Sequence, residues 1–271
     1  MRQQAVDVSF KIVPEVYNLL KDDPEVNKHY KLKRTERGTV SMIGLNNQPD
    51  GIKHPKLFND RRVRRAIMLA VDWDDLLFNR VSIDGQRVAG PVTENNPYFD
   101  PNLPIPQYNP DSARYYLAEA GWADTDGDGL LDKEIDGAKV PFSFTLLHRS
   151  TNIMEADLAT EFANDLRPYG IEVKPDNSGF SMGQLFGLQY DAVLLPLLVP
   201  STPYPFEAIY RSTSQQSFFG YANEQADILI DKISSSTDVE KVRADAIRLQ
   251  KIIIDDLPAL YLFNPTRKIA A

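Results

Sequence analysis

A serine between two glycines is the first candidate for covalent chemistry. Residues 179–183 have the G-x-S-x-G spacing that places a nucleophilic serine on a sharp turn in α/β-hydrolases. Ser181 would need a histidine as its general base, and in that fold the histidine follows the serine in the chain. All three histidines precede the serine: His29, His54 and His148. The spacing therefore favours Ser181 as the N-cap of a short helix through Leu185, with a serine hydrolase using Ser181 as the alternative.

Acidic residues at alternating positions form a candidate metal loop between residues 124 and 132. Carboxylates at this spacing, with a glycine for the sharp turn, are typical of calcium loops that end on a bidentate glutamate at the twelfth position. Here Ile135 stands at that position, so Glu134 or Asp136 would have to serve in another geometry. The pattern predicts either a weak calcium site in an interaction module or a plain turn whose side chains bond their own backbone. The predicted ligands are Asp124, Asp126, Asp128 and Asp132.

Composition excludes several other classes of function. The chain of 271 residues has no cysteine, so thiolate nucleophiles, disulfides and zinc ribbons are absent. The net charge of −8, from 30 basic and 38 acidic residues, would repel nucleic acid and anionic lipid headgroups. Neither a P-loop nor a G-x-G-x-x-G motif is present. We expect no cofactor other than calcium at the aspartate loop, and no nucleic-acid partner.

The apolar segments predict no insertion into a membrane by this chain. The most apolar run, residues 192–199, is interrupted by Pro196 and is much shorter than the roughly 20 residues that span a bilayer. Residues 1–8 lack the apolar core and the cleavage pattern of a signal peptide. We therefore expect either a cytoplasmic protein or a chain whose start is missing, and the interior motifs favour the second.

Hydrophobic periodicity predicts an α/β (mixed α+β) fold without internal repeats. The expected elements of the first half are strands at 6–10, 30–34 and 39–45, and helices starting at Pro14, at Asn59 or Asp60, at Asp72 and at Pro110. Residues 84–109 are rich in proline and glycine, which predicts a long loop of the kind that is usually functional. Arg61, Arg62, Arg64 and Arg65 are expected to form a solvated face or an ion-pair network.

The second half predicts a strand, helix and strand that form a crossover unit with a parallel pair. The expected elements are a strand at 141–147, a helix at 152–169 ended by Gly170, strands at 171–174 and 191–195, a helix opened by a capping box at 237–240, and a strand at 259–263.

Several motifs in a fixed order resemble the extracellular solute-binding proteins of family 5, the oligopeptide and dipeptide type. The resemblance covers nearly the whole chain, and the joint order is more specific than any one motif. The motifs are Asn46, residues 58–72 (FNDRRVRRAIMLAVD), residues 108–113, residues 117–122 with the aspartate loop, Tyr190-Asp191, residues 219–227 and residues 252–262.

This resemblance implies the C-terminal lobe of a type II periplasmic-binding-protein-like fold. Family members are longer and carry a signal peptide or lipoprotein anchor and an N-terminal lobe, so the resemblance implies that this sequence is a fragment. Residues 1–45 would be a hinge-proximal segment with the first strands, and residues 46–271 the C-terminal lobe. The implied function is non-enzymatic: the extracytoplasmic substrate-binding component of an ABC importer, located in the periplasm or at the cell surface.

The implied mechanism is the closure of two lobes around a small solute, such as a peptide or another polar oligomer. The closed form would be read by the importer's membrane subunits. One lobe supplies only part of the contact area, whereas the loss of ligand freedom costs several kcal/mol, so we expect weak binding or none to an isolated lobe.

Ligand contacts are expected after the strand that contains Tyr190-Asp191. Peptide-binding members of the family place an aspartate there to pair with the amino terminus of the peptide. Residues 197–206 contain no aspartate, although Glu207 follows them, so the sequence departs from the family pattern at this point. The hydroxyl and aromatic groups offered instead suit a neutral polar ligand, unless Tyr204 and Phe206 are core residues. The predicted ligand-binding residues are Ser201, Thr202, Tyr204 and Phe206, with Asn46, Asn47, Glu94 and Tyr98 as secondary candidates.

Overall fold

A mixed β-sheet with helices on both faces forms the centre of the molecule. The computed structural model describes residues 9, 12, 14–48, 56–149, 151–199, 202 and 204–270. The strands in these residues are β1 (Leu32–Glu36), β2 (Thr39–Leu45), β3 (Gly85–Arg87), β4 (Asp132–Ile135), β5 (Ala138–Pro141), β6 (Ser143–Leu147), β7 (Glu172–Asp176), β8 (Ala192–Leu198) and β9 (Ala259–Ala270).

The helices account for most of the remaining regular structure. They are α1 (Pro14–Leu20), α2 (Pro24–Asn27), α3 (Arg61–Ala70), α4 (Pro110–Glu119), α5 (Ile153–Leu166), α6 (Met182–Phe186), α7 (Tyr204–Tyr210), α8 (Glu224–Ser235) and α9 (Val239–Asp256). A π-helical segment covers Asp75–Arg80, and a 3-10 turn covers Arg167–Tyr169. No helix in the described part of the chain combines the length and the apolar character that crossing a membrane requires.

The sheet has the order β1-β9-β2-β8-β6-β7, with β3 also paired to β9. Strand β6 pairs in parallel with β7 and β8, whereas β2 pairs antiparallel with β8 and β9. The predicted crossover is therefore confirmed, because α5 connects β6 to its parallel neighbour β7. Strands β1 and β2, which precede residue 46, belong to the same sheet as the strands that follow it.

Alternation along the strands divides the core between the two faces of the sheet. On β2, Ile43 and Leu45 belong to a cluster with α3, α4 and α5, whereas Val40 and Met42 belong to a cluster with α7, α8 and α9. The other central strands alternate in the same way, as the period of two requires. The result is three layers, helix on sheet on helix, with β2 and β8 buried at the centre.

Local signals explain where the helices begin and end. Asn109 caps α4, whose first residue is Pro110, and Gly121 follows its end at φ +82°, where glycine avoids a Cβ clash. Asn152 caps α5, and Gly170 ends the following 3-10 turn at φ +71°. These starts and stops agree with those predicted from the sequence.

Three details of the predicted secondary structure were wrong. The N-cap of α9 is Asp238 rather than Thr237, because the Asp238 carboxylate accepts hydrogen bonds from the backbone N–H groups of Glu240 and Lys241. The helix expected from Asp72 is π-helical from Asp75 onward. Strand β9 also continues past residue 263 to Ala270.

Several elements were not predicted at all: β3, the β4–β5 hairpin, α2, α7 and α8. The strand expected at residues 6–10 lies outside the described residues except for Ser9, which forms an antiparallel bridge with Ala270.

The arginine cluster in the first turns of α3 divides into two environments. Arg62 pairs with Asp60 and Arg65 with Asp255 at the surface, as the predicted ion-pair network requires. Arg64 is buried, and its guanidinium donates to the backbone carbonyls of Phe58, Asn59, Asp256 and Leu257. The expectation of a solvated face was therefore wrong for Arg64, which joins the start of α3 to the end of α9.

Candidate functional site

The carboxyl ends of β6, β7 and β8 lie at one edge of the sheet, which we call the carboxyl edge. In open α/β sheets, ligands bind in the crevice outside the carboxyl ends of the strands. The proline-rich loop at residues 88–108 packs here, since Pro91 and Val92 lie beside Leu197 and Val199 at the end of β8. The long loop and the carboxyl edge therefore form one region.

Hydrogen bonds from α9 hold the loop in place. Gln250 Nε2 donates to the carbonyl oxygen of Tyr98 at 2.8 Å, and Arg243 Nε donates to that of Pro97 at 3.1 Å. Val88 and Val92 add apolar contacts to the cluster beneath the loop. The loop is long and carries no regular helix, but its backbone is anchored to a helix of the core.

An apolar pocket at the carboxyl edge brings together three of the predicted ligand residues: Tyr98, Thr202 and Phe206. The cavity between them measures about 10 Å³, which is at the lower limit of the roughly 10–15 Å³ that one water molecule needs on the same measure. Phe206 is buried against Tyr210, as the core-packing alternative required. Ser201 lies outside the described residues, and of Tyr204 the structure gives only its place as the first residue of α7.

A second, polar cavity of about 140 Å³ lies next to this pocket. An engineered cavity of about 150 Å³ admits benzene, so this volume can hold a small organic group. Val92 borders both cavities, and Glu94, a predicted ligand residue, lines the polar one. The other polar side chains around it are Glu36, Gln86, Arg87, Asp100, Gln250 and Asn264.

Glu36, the last residue of β1, lines the polar cavity and bonds to side chains of two other chain segments. Its Oε2 atom accepts hydrogen bonds of 2.9 Å from Asn95 Nδ2 and from Asn264 Nδ2. Glu94 is close enough for a hydrogen bond between the two carboxyl groups. Burial raises the pKa of Glu36, and the nearby charge of Glu94 raises it further. Two carboxyl groups thus share one polar environment at the carboxyl edge.

Arg87, on β3, contributes a buried cation to the same cavity. Its side chain is 7% exposed, and its Nη1 atom lies 3.5 Å from an oxygen of Asp74. Burial lowers the pKa of Arg87, and the charges of Asp74 and Asp72 oppose that shift. Among the described residues, Arg87 Nε has no hydrogen-bond acceptor, so this buried donor is left for another group.

Asn46 and Asn47, the remaining predicted ligand residues, lie at the opposite edge of the sheet, which we call the amino edge. Asn46 Nδ2 donates to the carbonyls of Leu188 and Tyr190 at 3.1 and 2.8 Å. Asn47 Nδ2 donates to three backbone carbonyls at 2.8 to 3.1 Å: those of Leu45, Phe219 and Pro258. The amides join separate chain segments, and the structure does not bring them together with Glu94 or Thr202.

The amino edge has a cavity of its own, of about 320 Å³, between α3 and the start of α8. Arg64 lines it, and burial lowers the pKa of Arg64 to about 10. The Asp256 carboxylate accepts from Tyr221 Oη and from Asn223 Nδ2, both at 2.7 Å. These groups bond mostly to each other and to the backbone.

Ser181 forms a capping box at the start of α6. Its Oγ atom accepts from Gln184 N at 3.1 Å, and Gln184 Oε1 accepts from Ser181 N at 2.9 Å. The N-cap interpretation is therefore confirmed. Of the histidines, His54 lies outside the described residues, and His148 is buried in the loop that follows β6.

The aspartate loop follows α4 on the side of the amino edge. The carboxylates of Asp124, Asp126 and Asp128 are exposed and lie within 4.8 Å of one another. Asp132 is instead buried, and it accepts from the backbone N–H and the hydroxyl of Thr125.

Lysine already supplies positive charge to the aspartate loop. Lys139 Nζ lies 2.5 Å from an oxygen of Asp126 and 3.2 Å from one of Asp132. Asp124 accepts from the N–H groups of Gly127 and Gly129, as the plain-turn alternative predicted. A calcium ion would have to displace Lys139, so the arrangement fits a self-contained turn better than a dedicated metal site.

Comparison with known proteins identifies, over most of the chain, the family that the sequence motifs resemble. Residues 1–219 match the family described as bacterial extracellular solute-binding proteins, family 5 Middle. The oligopeptide-binding protein AppA of Bacillus subtilis is 30% identical over 278 residues, which cover 98% of this chain and 48% of AppA. The chain spans about half the length of the curated relatives it matches.

Solved structures agree with this result. The structure of Bacillus subtilis AppA in complex with a nonapeptide has a TM-score of 0.79 at 26% identity and covers 99% of this chain and 52% of AppA. An oligopeptide-binding protein from Thermus thermophilus, complexed with a pentapeptide, has a TM-score of 0.76 at 20% identity, with coverage of 92% and 46%. The predicted fold class, a periplasmic-binding-protein-like α/β fold, is confirmed by these likenesses.

Proposed function

Because the chain belongs to the bacterial extracellular solute-binding proteins of family 5, we propose that it forms one side of the ligand site of an ABC importer's substrate-binding component. The ligand side of this lobe is the carboxyl edge. The observation that carries this assignment is the grouping there of Glu94, Tyr98, Thr202 and Phe206 beside the polar cavity. In this proposal, Asn46 and Asn47 are structural residues at the amino edge and do not contact the ligand.

The proposed mechanism is the capture of a solute between two lobes without covalent chemistry. The second lobe would cover the carboxyl edge, and contacts from both sides would exist only in the closed state. The solute therefore shifts the equilibrium toward the closed form, which the membrane subunits of an importer would recognise. The ribbon formed by β1 and the second half of β9 projects from the carboxyl edge, where a connection to another lobe would be needed.

We propose a peptide, or another small polar solute, as the ligand. The relatives named above bind oligopeptides, and two of their structures hold peptides. Polar groups in the cavity and aromatic groups beside it suit a chain of amide bonds with varied side chains. This proposal also places the protein outside the cytoplasm, where such relatives work as extracellular solute-binding proteins.

The test is to identify the solute that the protein carries. We would express the protein from its complete gene, purify it without denaturation, and identify acid-released compounds by mass spectrometry. Titration calorimetry with defined peptides of two to nine residues then measures affinity. We expect binding by this protein and about hundredfold weaker binding by the 271-residue chain alone, because one lobe makes only part of the contacts.

A matched pair of tyrosine substitutions locates the site. Tyr98→Ala at the carboxyl edge should weaken solute binding by about tenfold through lost apolar contact. Tyr115→Ala is the control, because Tyr115 is exposed on α4. Equal effects of the two substitutions, or tight binding of peptides by the 271-residue chain alone, would contradict the proposal.

A further inference from the structure

The two carboxyl groups of the polar cavity face each other without a cation between them. Glu36 and Glu94 are within hydrogen-bonding reach, although like charges at that distance repel. Salt bridges elsewhere show that the chain does pair its carboxylates, as with Asp84, which contacts both Arg34 and Lys268. No such partner for Glu36 or Glu94 is found among the described residues. The repulsion between the two carboxylates is therefore not compensated by a cation among the described residues.

Asn264, on β9, provides an independent sign that a donor is missing. The residue is only 2% exposed and lines the cavity. Its Nδ2 group donates to Glu36, which fixes the orientation of the amide and leaves Oδ1 as an acceptor. No donor in the described part of the chain reaches Asn264 Oδ1. Buried amide oxygens are nearly always hydrogen-bonded, so a ligand or solvent donor is expected here.

We propose that Glu36, Glu94 and Asn264 form a subsite for a cationic group, either a primary ammonium or a guanidinium, carried by the solute. The inference rests on the proposed function for the origin of that group, which would be an amino terminus, a lysine or an arginine. An ammonium has three donors and a guanidinium five, enough to bond both carboxylates and the amide oxygen together. Such charge-assisted bonds are stronger than neutral ones.

An organic cation fits this cavity better than a metal ion. Calcium takes six to eight oxygen ligands, and magnesium requires a near-octahedral set. The subsite formed by Glu36, Glu94 and Asn264 offers the free oxygens of two carboxylates and one amide, and Glu36 Oε2 already accepts two N–H groups. Arg87 in the same cavity repels any cation, but at the same distance it repels a divalent ion twice as strongly as a monovalent one, and its Nε donor can bond a carbonyl beside an ammonium.

Small probes test the subsite on the 271-residue chain itself. Butylammonium chloride and butylguanidinium chloride separate the two kinds of cation, and 1-butanol is a neutral probe of similar size. NMR spectra would follow the side-chain amide signals of Asn264 and Asn95, which donate to Glu36. We expect both cations to shift these signals with a dissociation constant of about 1 mM or weaker, and butanol to leave them unchanged.

Charge-removing variants complete this test. Glu36→Gln and Glu94→Gln keep the shape of the side chains and should each weaken cation binding by about tenfold. Glu224→Gln is the matched control, since Glu224 is exposed at the start of α8. Equal shifts from butanol, unchanged affinity in both cavity variants, or stronger shifts from calcium chloride would overturn the proposal.

Peptides separate a failure of the subsite from a failure of the proposed function. With protein from the complete gene, Glu94→Gln should weaken the binding of Ala-Lys-Ala by about tenfold, whereas N-acetyl-Ala-norleucine-Ala, which carries neither an ammonium nor a guanidinium, should bind both forms equally. If peptides bind but charge has no effect in either variant, the subsite is wrong and the function stands. If no peptide binds while the small cations do, the subsite stands and the proposed solute class is wrong.

Discussion

The two edges of the sheet use the same residue types for different purposes. At the amino edge, Arg64 and Asn47 donate to backbone carbonyls of separate chain segments. At the carboxyl edge, Asn264 donates to the Glu36 side chain, and Arg87 pairs with Asp74 and donates to one backbone carbonyl, that of Pro106, while each keeps a donor or an acceptor unused. Asn47 Oδ1 is also unpaired in the described residues, but its Nδ2 group makes three bonds to the backbone. The identity of the partner, rather than the residue type, separates structural polar groups from binding ones.

The largest effect should come from removing the buried arginine of the amino edge. Arg64→Met leaves the carbonyls that it bonds without a donor, and we expect a loss of about 3 to 5 kcal/mol in the free energy of unfolding. Arg61→Met is the control, because Arg61 is exposed, and should change stability by less than about 0.5 kcal/mol. Urea unfolding followed by circular dichroism measures both. If Arg64→Met lowered the free energy of unfolding by less than about 1 kcal/mol, the structural role that we assign to the amino edge would be wrong.

The two asparagines test the comparison directly. Asn47→Ala breaks three hydrogen bonds to buried carbonyls and should cost about 2 to 3 kcal/mol. Asn264→Ala removes one bond to Glu36 and an unpaired oxygen, so it should cost about 1 kcal/mol or less. Urea unfolding of the two variants gives the ranking. The reverse order would mean that the carboxyl edge is the more structural of the two.

Carboxylates at the two edges should give pH effects of opposite sign. The pKa of Glu36 is raised by burial and by Glu94, so its ionised form destabilises the folded protein. Glu36→Gln should therefore increase stability at pH 7, and this gain should disappear as the pH falls below 4.5. Asp60, which caps α3, is subject to burial that raises its pKa, but the hydrogen bonds from Arg62 lower it overall.

Removal of the Asp60 charge should accordingly have the reverse effect. Asp60→Asn should lose about 0.5 kcal/mol or less at pH 7, because the pair is partly exposed to solvent. The loss should vanish as the pH falls below 3.8, where the wild-type carboxylate itself becomes protonated. Unfolding curves between pH 3 and 7 measure both variants, and the same sign for both would contradict the electrostatic contrast.

The smallest effect concerns calcium at the aspartate loop, where a lysine already compensates the acidic groups. We expect calcium, compared with a chelator, to raise the melting temperature of the wild-type chain by less than about 1 °C. Lys139→Met removes the competing charge from Asp126 and Asp132, so the shift should grow to a few degrees. Lys174→Met, on β7, is the control. A large shift in the wild type would show that Lys139 does not block the loop.

Local sequence signals account for much of the fold. Asn109, Pro110 and Gly121 fixed the limits of α4 because caps, proline and glycine act within a few residues. The crossover between β6 and β7 followed from the order of elements. Helices α7 and α8 were missed because their sequences alone do not predict a helix. They are stabilised by packing on the face of the sheet that carries Val40 and Met42.

The site was harder to predict for the same reason. Glu94 was named from its place in a long loop, but Glu36, Arg87 and Asn264 carry no local signal that distinguishes them from other polar residues. They meet because β1, β3 and β9 are neighbours in the sheet, although up to 228 residues separate them in sequence. Asn46 and Asn47 were named from their position after a strand, without knowledge of which edge that strand end occupies.

Glu36 lies where the β1–β9 ribbon joins the rest of the sheet, so the distance between its carboxylate and that of Glu94 depends on the orientation of the ribbon. Glu36 pairs with Thr266 across the ribbon, whereas Glu94 belongs to the loop fastened to α9. A rotation of the ribbon against the sheet would thus open or shorten the gap between the two acids. A ligand that bridges the two carboxylates would resist a rotation that separates them. Binding of a charged group would therefore also set the angle between the β1–β9 ribbon and the sheet.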